Sequence, residues 1–154
     1  MALALQWHGQ SNRSDSVVQV TPRTNFDPAD GEVVMVICDG KIGHDDDPRL
    51  ASAAASVIYE SFYRDTAAET TQRLGNALNR AIQLSRGNRL DIPGSDKRGG
   101  DLQIIAVALQ QDKLTIARSK GGNVYLLRGG LLQNLTDDTF SDDADVDIGQ
   151  LDLE

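Results

Sequence analysis

Residues 32–40 read EVVMVICDG. From Glu32 to Cys38 the run is, after its opening Glu, apolar and largely β-branched, without polar alternation, the pattern of a strand buried on both faces. It is the strongest central-strand candidate in the chain, and the reading ends it abruptly at Asp39-Gly40.

Upstream, Ser16–Val20 (SVVQV) reads as a short strand, and Thr21–Gly31, with two prolines and several turn formers, as a loop. Downstream, after KIGHDDD, the period changes. Asp47 can cap a helix and Pro48 suits its first position, where a missing N–H costs nothing. Leu50, Ala54, Val57, Ile58 and Phe62 then recur at helical spacing. A second helix is predicted from about Thr66 to Arg86, with Ala67, Thr71, Leu74, Leu78, Ala81, Ile82 and Ser85 along its stripe and Gly87-Asn88 as its stop. After a polar loop, Arg89–Gly100, comes a β series: Leu102–Leu109, Lys113–Arg118, Val124–Arg128 and Leu131–Leu135. Gln110–Asp112, Lys120–Asn123 and Gly129-Gly130 are short enough for hairpin turns. Strands, a helix pair and then more strands predict an α+β fold with antiparallel sheet, not repeated βαβ units.

The 154 residues fit one domain, and with 40% hydrophobic but only 5% aromatic residues its core must be aliphatic. Apolar stretches stay below ten residues, too short to cross a bilayer. Met1–Leu5 lacks the basic and long apolar regions of a secretory signal. A single cysteine, Cys38, excludes a disulfide framework and a thiolate metal cluster, and reads as a small buried hydrophobe; the expected compartment is the cytoplasm. The formal net charge of −8 is concentrated: Asp137–Glu154 holds eight carboxylates and no Lys or Arg, which leaves 15 acids against 15 bases elsewhere. The chain therefore divides into a neutral body, residues 1–136, and an acidic segment, residues 137–154, that is solvated or an interaction tail. Such a segment repels phosphate backbones, so neither nucleic acid nor a membrane is an expected partner.

Asp39-Gly40 carries the most chemistry. A carboxylate at the mouth of a buried strand, beside a glycine whose carbonyl a ligand can approach, suits a hard cation such as Mg²⁺ or Mn²⁺. Asp-Gly is also a common turn dipeptide. His44 with Asp45, Asp46 and Asp47 is a second cluster: His44 could act as a proton donor, or the acids could extend a metal site. A solvated loop ending in a helix cap explains the same residues. Trp7 and His8 have no partner in sequence, and Gly99-Gly100 and Gly121-Gly122 do not lead into helices as a phosphate loop must.

The run VVMVICDGKIGHDDDPRLASAAASVIYESF resembles the signature region of the metal-dependent protein phosphatase 2C family, in which a hydrophobic strand ends in Asp-Gly, a Gly-Gly-His loop follows and an Ala-Ser-bearing helix comes next. The stretch DLQIIAVALQQDKLTIARSKGGNVYLLRGGLLQNLTDDTF is similar to that family's β meander, with Ala117, Tyr125, Leu126, Gly130, Leu135, Thr136 and Asp138 in matching order. The resemblance spans roughly Ser11–Phe140 and implies an α-β-β-α sandwich of two antiparallel sheets flanked by helices. It implies metal ligands at Asp39, Gly40 and Asp15, and the loop histidine at His44. It also implies two Mg or Mn ions that activate a water to attack a phosphoserine or phosphothreonine. Several family positions differ here. The early Asn-Glu-Asp motif reads Arg13-Ser14-Asp15, the Gly-Thr-Thr opening reads Gly100-Asp101-Leu102, and the Gly-Asp-Ser-Arg turn reads Lys120-Gly121-Gly122-Asn123, with Gly121 in place of an acid. The late Asp-Gly and Asp-Asn motifs are not found in residues 135–154. Since two nearby dications repel unless anions neutralise them, these departures lead to the expectation of a degenerate, non-catalytic phosphatase-like domain that binds no confident cofactor. Its role would be to bind a protein partner or a neighbouring domain, or to self-associate through an incompletely covered sheet. The alternatives are an active or truncated phosphatase of the same family, and an unrelated α+β assembly subunit.

Overall fold

Pro48 opens helix α1, Pro48–Arg64, as its fixed φ and missing donor allow. α1 buries Leu50, Ala51, Ala54, Ala55, Ile58 and Phe62. Helix α2, Thr70–Arg86, buries Leu74, Ala77, Leu78, Ala81 and Ile82 against it. The alanines let the two helices lie close to each other and to a sheet. In this computed structural model residues 17–21, 32–42, 45–46, 48–67, 69–86, 100–119, 122–136, 140 and 146–153 are described. The strands are β1 (Val17–Thr21), β2 (Glu32–Ile42), β3 (Asp45–Asp46), β4 (Gly100–Gln110), β5 (Lys113–Ser119), β6 (Tyr125–Arg128), β7 (Leu131–Asn134) and β8 (Asp147–Asp152).

The main sheet is antiparallel in the order β1-β2-β4-β5-β8, with β3 folded back onto the end of β2. The second sheet is the β6–β7 hairpin. The fold is thus α+β with two antiparallel sheets, as expected. Strand alternation divides the core. Val34, Val36 and Cys38 of β2 and Leu102, Ile104, Ala106 and Ala108 of β4 pack under the helices. Met35, Ile105 and Val107, with Leu114 and Ile116 of β5, form a second core on the opposite face, closed by Val124 and Leu135 from the ends of the β6–β7 hairpin. Cys38 is buried in the first core, as read from the sequence.

Polar ties hold the helix layer in place. Glu32, at the start of β2, pairs with Arg73 and accepts from the Thr70 hydroxyl (2.6 Å), while the Tyr63 hydroxyl donates to the Glu32 carbonyl (3.0 Å). The Arg73 guanidinium lies 4.7 Å from the centre of the Phe62 ring. These contacts place the C-terminal end of α1 at the Glu32 end of β2.

Four features differ from the sequence reading. β2 does not stop at Asp39-Gly40 but runs on to Ile42, because β4 is equally long and satisfies its backbone through Gly40↔Leu102 to Ile42↔Gly100. Asp39-Gly40 is therefore not a turn. α2 starts at Thr70 rather than Thr66: the Asp65 carboxylate accepts from the Ala67 N–H (2.9 Å), a local turn that competes with helix. The meander breaks after β5. Gly122, at φ 95°, takes the chain out of the sheet, and the Arg118 guanidinium donates to its carbonyl at 2.5 Å. β6 consequently does not pair with β5; β8 does. Finally, Asp147–Asp152 of the acidic segment is not a solvated tail but this edge strand, with Arg118 3.6 Å from Asp147. The proposed caps at Asp47 and Gly87-Asn88 lie outside the described residues.

Candidate functional site

Asp39 and Gly40 sit where the neighbours of β2 change. On one side β4 pairs without a break, setting Asp39 opposite Gln103 and Gly40 opposite Leu102. On the other side β1 reaches only Cys38, through Val17, and β3 pairs with Lys41 and Ile42. Residues 16 and 43–44, which flank β1 and β3 in the sequence, lie outside the described residues.

Register gathers more acids around Asp39 than sequence spacing indicated. Lys41 stands between Asp46 of β3 and Asp101 of β4, and Asp39 is two residues along the same strand. Because alternate residues share a face, Asp39, Lys41, Asp46, Asp101 and Gln103 belong to one face of the sheet, the one opposite the helices. Asp46 and Asp101 were therefore underrated in the sequence. Only the pairing of β2 with β3 and β4 brings them to Asp39, and the sequence signal, two long apolar runs of equal length, does not set that register. Three aspartates and one lysine carry two formal negative charges net. Asp15 and His44, the other site candidates, lie outside the described residues, as do Trp7, His8, Gly99 and Gly121. Among the residues with described side chains, no three His, Cys, Asp or Glu groups converge on a point.

The meander turn is built for structure. The Arg118 side chain is only 2% exposed, and its guanidinium meets the Gly122 carbonyl, Asp147 and the Phe140 ring (5.0 Å to the centroid). A Cβ on Gly122 would come within 2.9 Å of the Ile105 Cδ1 atom, so this glycine is needed for both its φ and its space. A separate cleft of about 470 Å³ between α1 and α2 includes Glu60, Ser61, Arg64, Asp65, Asn76 and Arg80 in its lining. Two pairs of its polar groups meet each other: Arg64 with Glu60 at 3.5 Å and Asn76 with Asp65 at 2.9 Å.

No protein-family model and no curated protein sequence matches the chain. Solved structures do. The chain is similar to the catalytic domain of the serine/threonine protein phosphatase PstP in complex with two manganese ions, with TM-score 0.63 and 13% identity over 94% of this chain and 68% of that one. It spans 50% of another PstP structure, from Mycobacterium tuberculosis. A bacterial serine phosphatase carrying a point substitution matches with TM-score 0.66 and 15% identity over 94% of this chain and 67% of that one. PppA, a key regulatory component of T6SS in Pseudomonas aeruginosa, matches with TM-score 0.50 and 15% identity over 90% and 72%. The fold is that of the protein phosphatase 2C-type serine/threonine phosphatases, and the chain spans about two thirds or less of the PstP and serine phosphatase chains. That likeness sets aside an unrelated α+β fold. Among the described residues no helix is long and apolar enough to cross a membrane.

Proposed function

We propose that this chain is a phosphatase 2C-like domain that does not catalyse and that acts in the cytoplasm by binding a protein partner or a neighbouring domain. The charge around Asp39 carries this reading. Among the described residues the register sets Asp39, Asp46 and Asp101 against Lys41, two net negative charges, enough to neutralise one dication and short of two. Gly121, at the position where the resemblance puts another acid, removes a further source. Asp39 and the Gly40 carbonyl suit a single Mg or Mn ion that keeps most of its water; they do not suit a pair, and no hydrolytic step is assigned to them. The likeness to PppA, described as regulatory, supports a role through protein contacts. The likeness to a PstP catalytic domain in complex with two manganese ions supports the second reading, an active or truncated Mg- or Mn-dependent serine/threonine phosphatase whose remaining ligands come from elsewhere.

Calorimetric titration with Mn²⁺ separates the two. At most one weak site is expected, in the millimolar range and lost in Asp39→Asn, with no hydrolysis of an aryl phosphate. Without metal, Asp39→Asn should leave the melting temperature nearly unchanged or raise it, since one of three neighbouring acids is removed. Two tight sites with hydrolysis that requires Asp39 would establish the active reading instead.

A further inference from the structure

Helix α1 ends at Arg64 and α2 begins at Thr70, so the short connection makes the two helices antiparallel neighbours. At one end of the cleft between them Asp65, just past α1, accepts from the Asn76 amide at 2.9 Å. Moving one turn along both helices from that contact sets Ser61 across from Arg80, and one turn further sets Val57 across from Leu84, each step about 6 Å. All six residues line the same cleft of about 470 Å³. Val57 and Leu84 are half-buried and pack on the core under the helices, which gives that end an apolar floor.

The polar groups of the cleft are unequally committed. Glu60 pairs with Arg64 at 3.5 Å, and Asp65 accepts from the Ala67 N–H (2.9 Å) as well as from Asn76. Arg80 is exposed and Ser61 half-buried; among the described residues neither side chain makes a hydrogen bond or ion pair. The acids are thus answered within the cleft, and the middle of the groove holds two donors that lack an acceptor.

We infer that this groove docks a helical segment of a partner protein, with an apolar side chain between Val57 and Leu84 and a Glu or Asp carboxylate on Arg80 and Ser61. Two features select that occupant. The uncommitted cation calls for an anion, and a guanidinium fits a carboxylate through two parallel hydrogen bonds. Glu60 and Asp65, close by, repel a phosphate-rich chain, so a single carboxylate is the better match. The apolar floor and the donors lie one helical turn apart, the distance between side chains at i and i+4 of a partner helix laid in the groove. The inference rests on the protein-binding part of the proposed function, to which it gives a surface, and not on the metal chemistry at Asp39.

A phage library of helix-forming peptides of about 14 residues, selected on the full chain, tests it. The selected peptides should share an apolar residue and a Glu or Asp one turn apart. Titrated singly, they should shift the amide signals of Ser61, Arg80 and Leu84 and bind about tenfold more weakly to Arg80→Gln. Arg80→Glu should reverse the preference and take up the peptide in which Lys replaces the acid. Because Arg80 is exposed, neither substitution should alter the circular dichroism or the melting curve. Selected peptides without the acid, binding indifferent to Arg80→Gln, or no selected peptide at all overturns the inference. Peptides that shift signals on another surface overturn it too, while leaving protein binding in place. Hydrolysis that requires Asp39 would defeat the non-catalytic reading and leave the result at Arg80 unaffected.

Discussion

Asp65 joins the end of α1 to the start of α2 through two hydrogen bonds. Its carboxylate accepts from the Asn76 amide and from the Ala67 N–H, both at 2.9 Å, and these bonds, with the Arg73 charge nearby, outweigh partial burial and hold its pKa below the usual carboxylate range. A carboxyl group more acidic in the folded than in the unfolded chain favours folding when ionised. Its contribution is complete above the unfolded pKa and is lost as pH falls through the folded one. Asp65→Asn should therefore lower the urea midpoint near neutral pH, and the two proteins should converge on acidification; a gap that persists unchanged into acid would contradict this. The sequence showed none of it. Asp65 and Asn76 are 11 positions apart and meet only because the two helices pack side by side.

Among the elements, β8 departs furthest from what its composition indicates. DIGQLD lies in the most acidic part of the chain, yet it adds to the sheet because β5 offers a free edge and because Arg118 supplies a buried cation beside Asp147. The same guanidinium holds the Gly122 carbonyl, so one side chain secures both the edge strand and the turn that diverts β6. Its removal leaves a carboxylate and a carbonyl partly buried without their cation. Arg118→Ala should cost about 3 kcal/mol in chemical denaturation and make β8 the first segment to exchange amide hydrogens, whereas Asp147→Asn should cost much less. Exchange protection of β8 unchanged in Arg118→Ala would mean that the ladder alone holds it. Helix α1 shows the opposite case: its start at Pro48 and its apolar stripe are both legible, because local geometry and periodicity determine them.

On the scale of the whole molecule, the sheet is the wall between two cores, and β2 contributes to both. Val36, 2% exposed, lies in the layer under the helices. Val36→Asp would place an unpaired charge there at a cost on the order of 4 kcal/mol or more, enough to unfold a domain of ordinary stability. Loss of the cooperative thermal transition checks it, and a folded variant would mean that the two layers are not one unit. The apolar run at residues 32–38, the two helical stripes and the glycine turn at 129–130 already determined a buried central strand, a helix pair and a hairpin. Each is written in spacing along the chain, which short-range sterics and hydrophobic periodicity convert directly into shape. Tertiary structure alone decided that β2 continues through Asp39-Gly40, that Asp46 and Asp101 join Asp39 on one face, and that an acidic segment closes the sheet. All three depend on pairing between strands distant in sequence, where register follows from how the layers bury their faces and from which edge remains open.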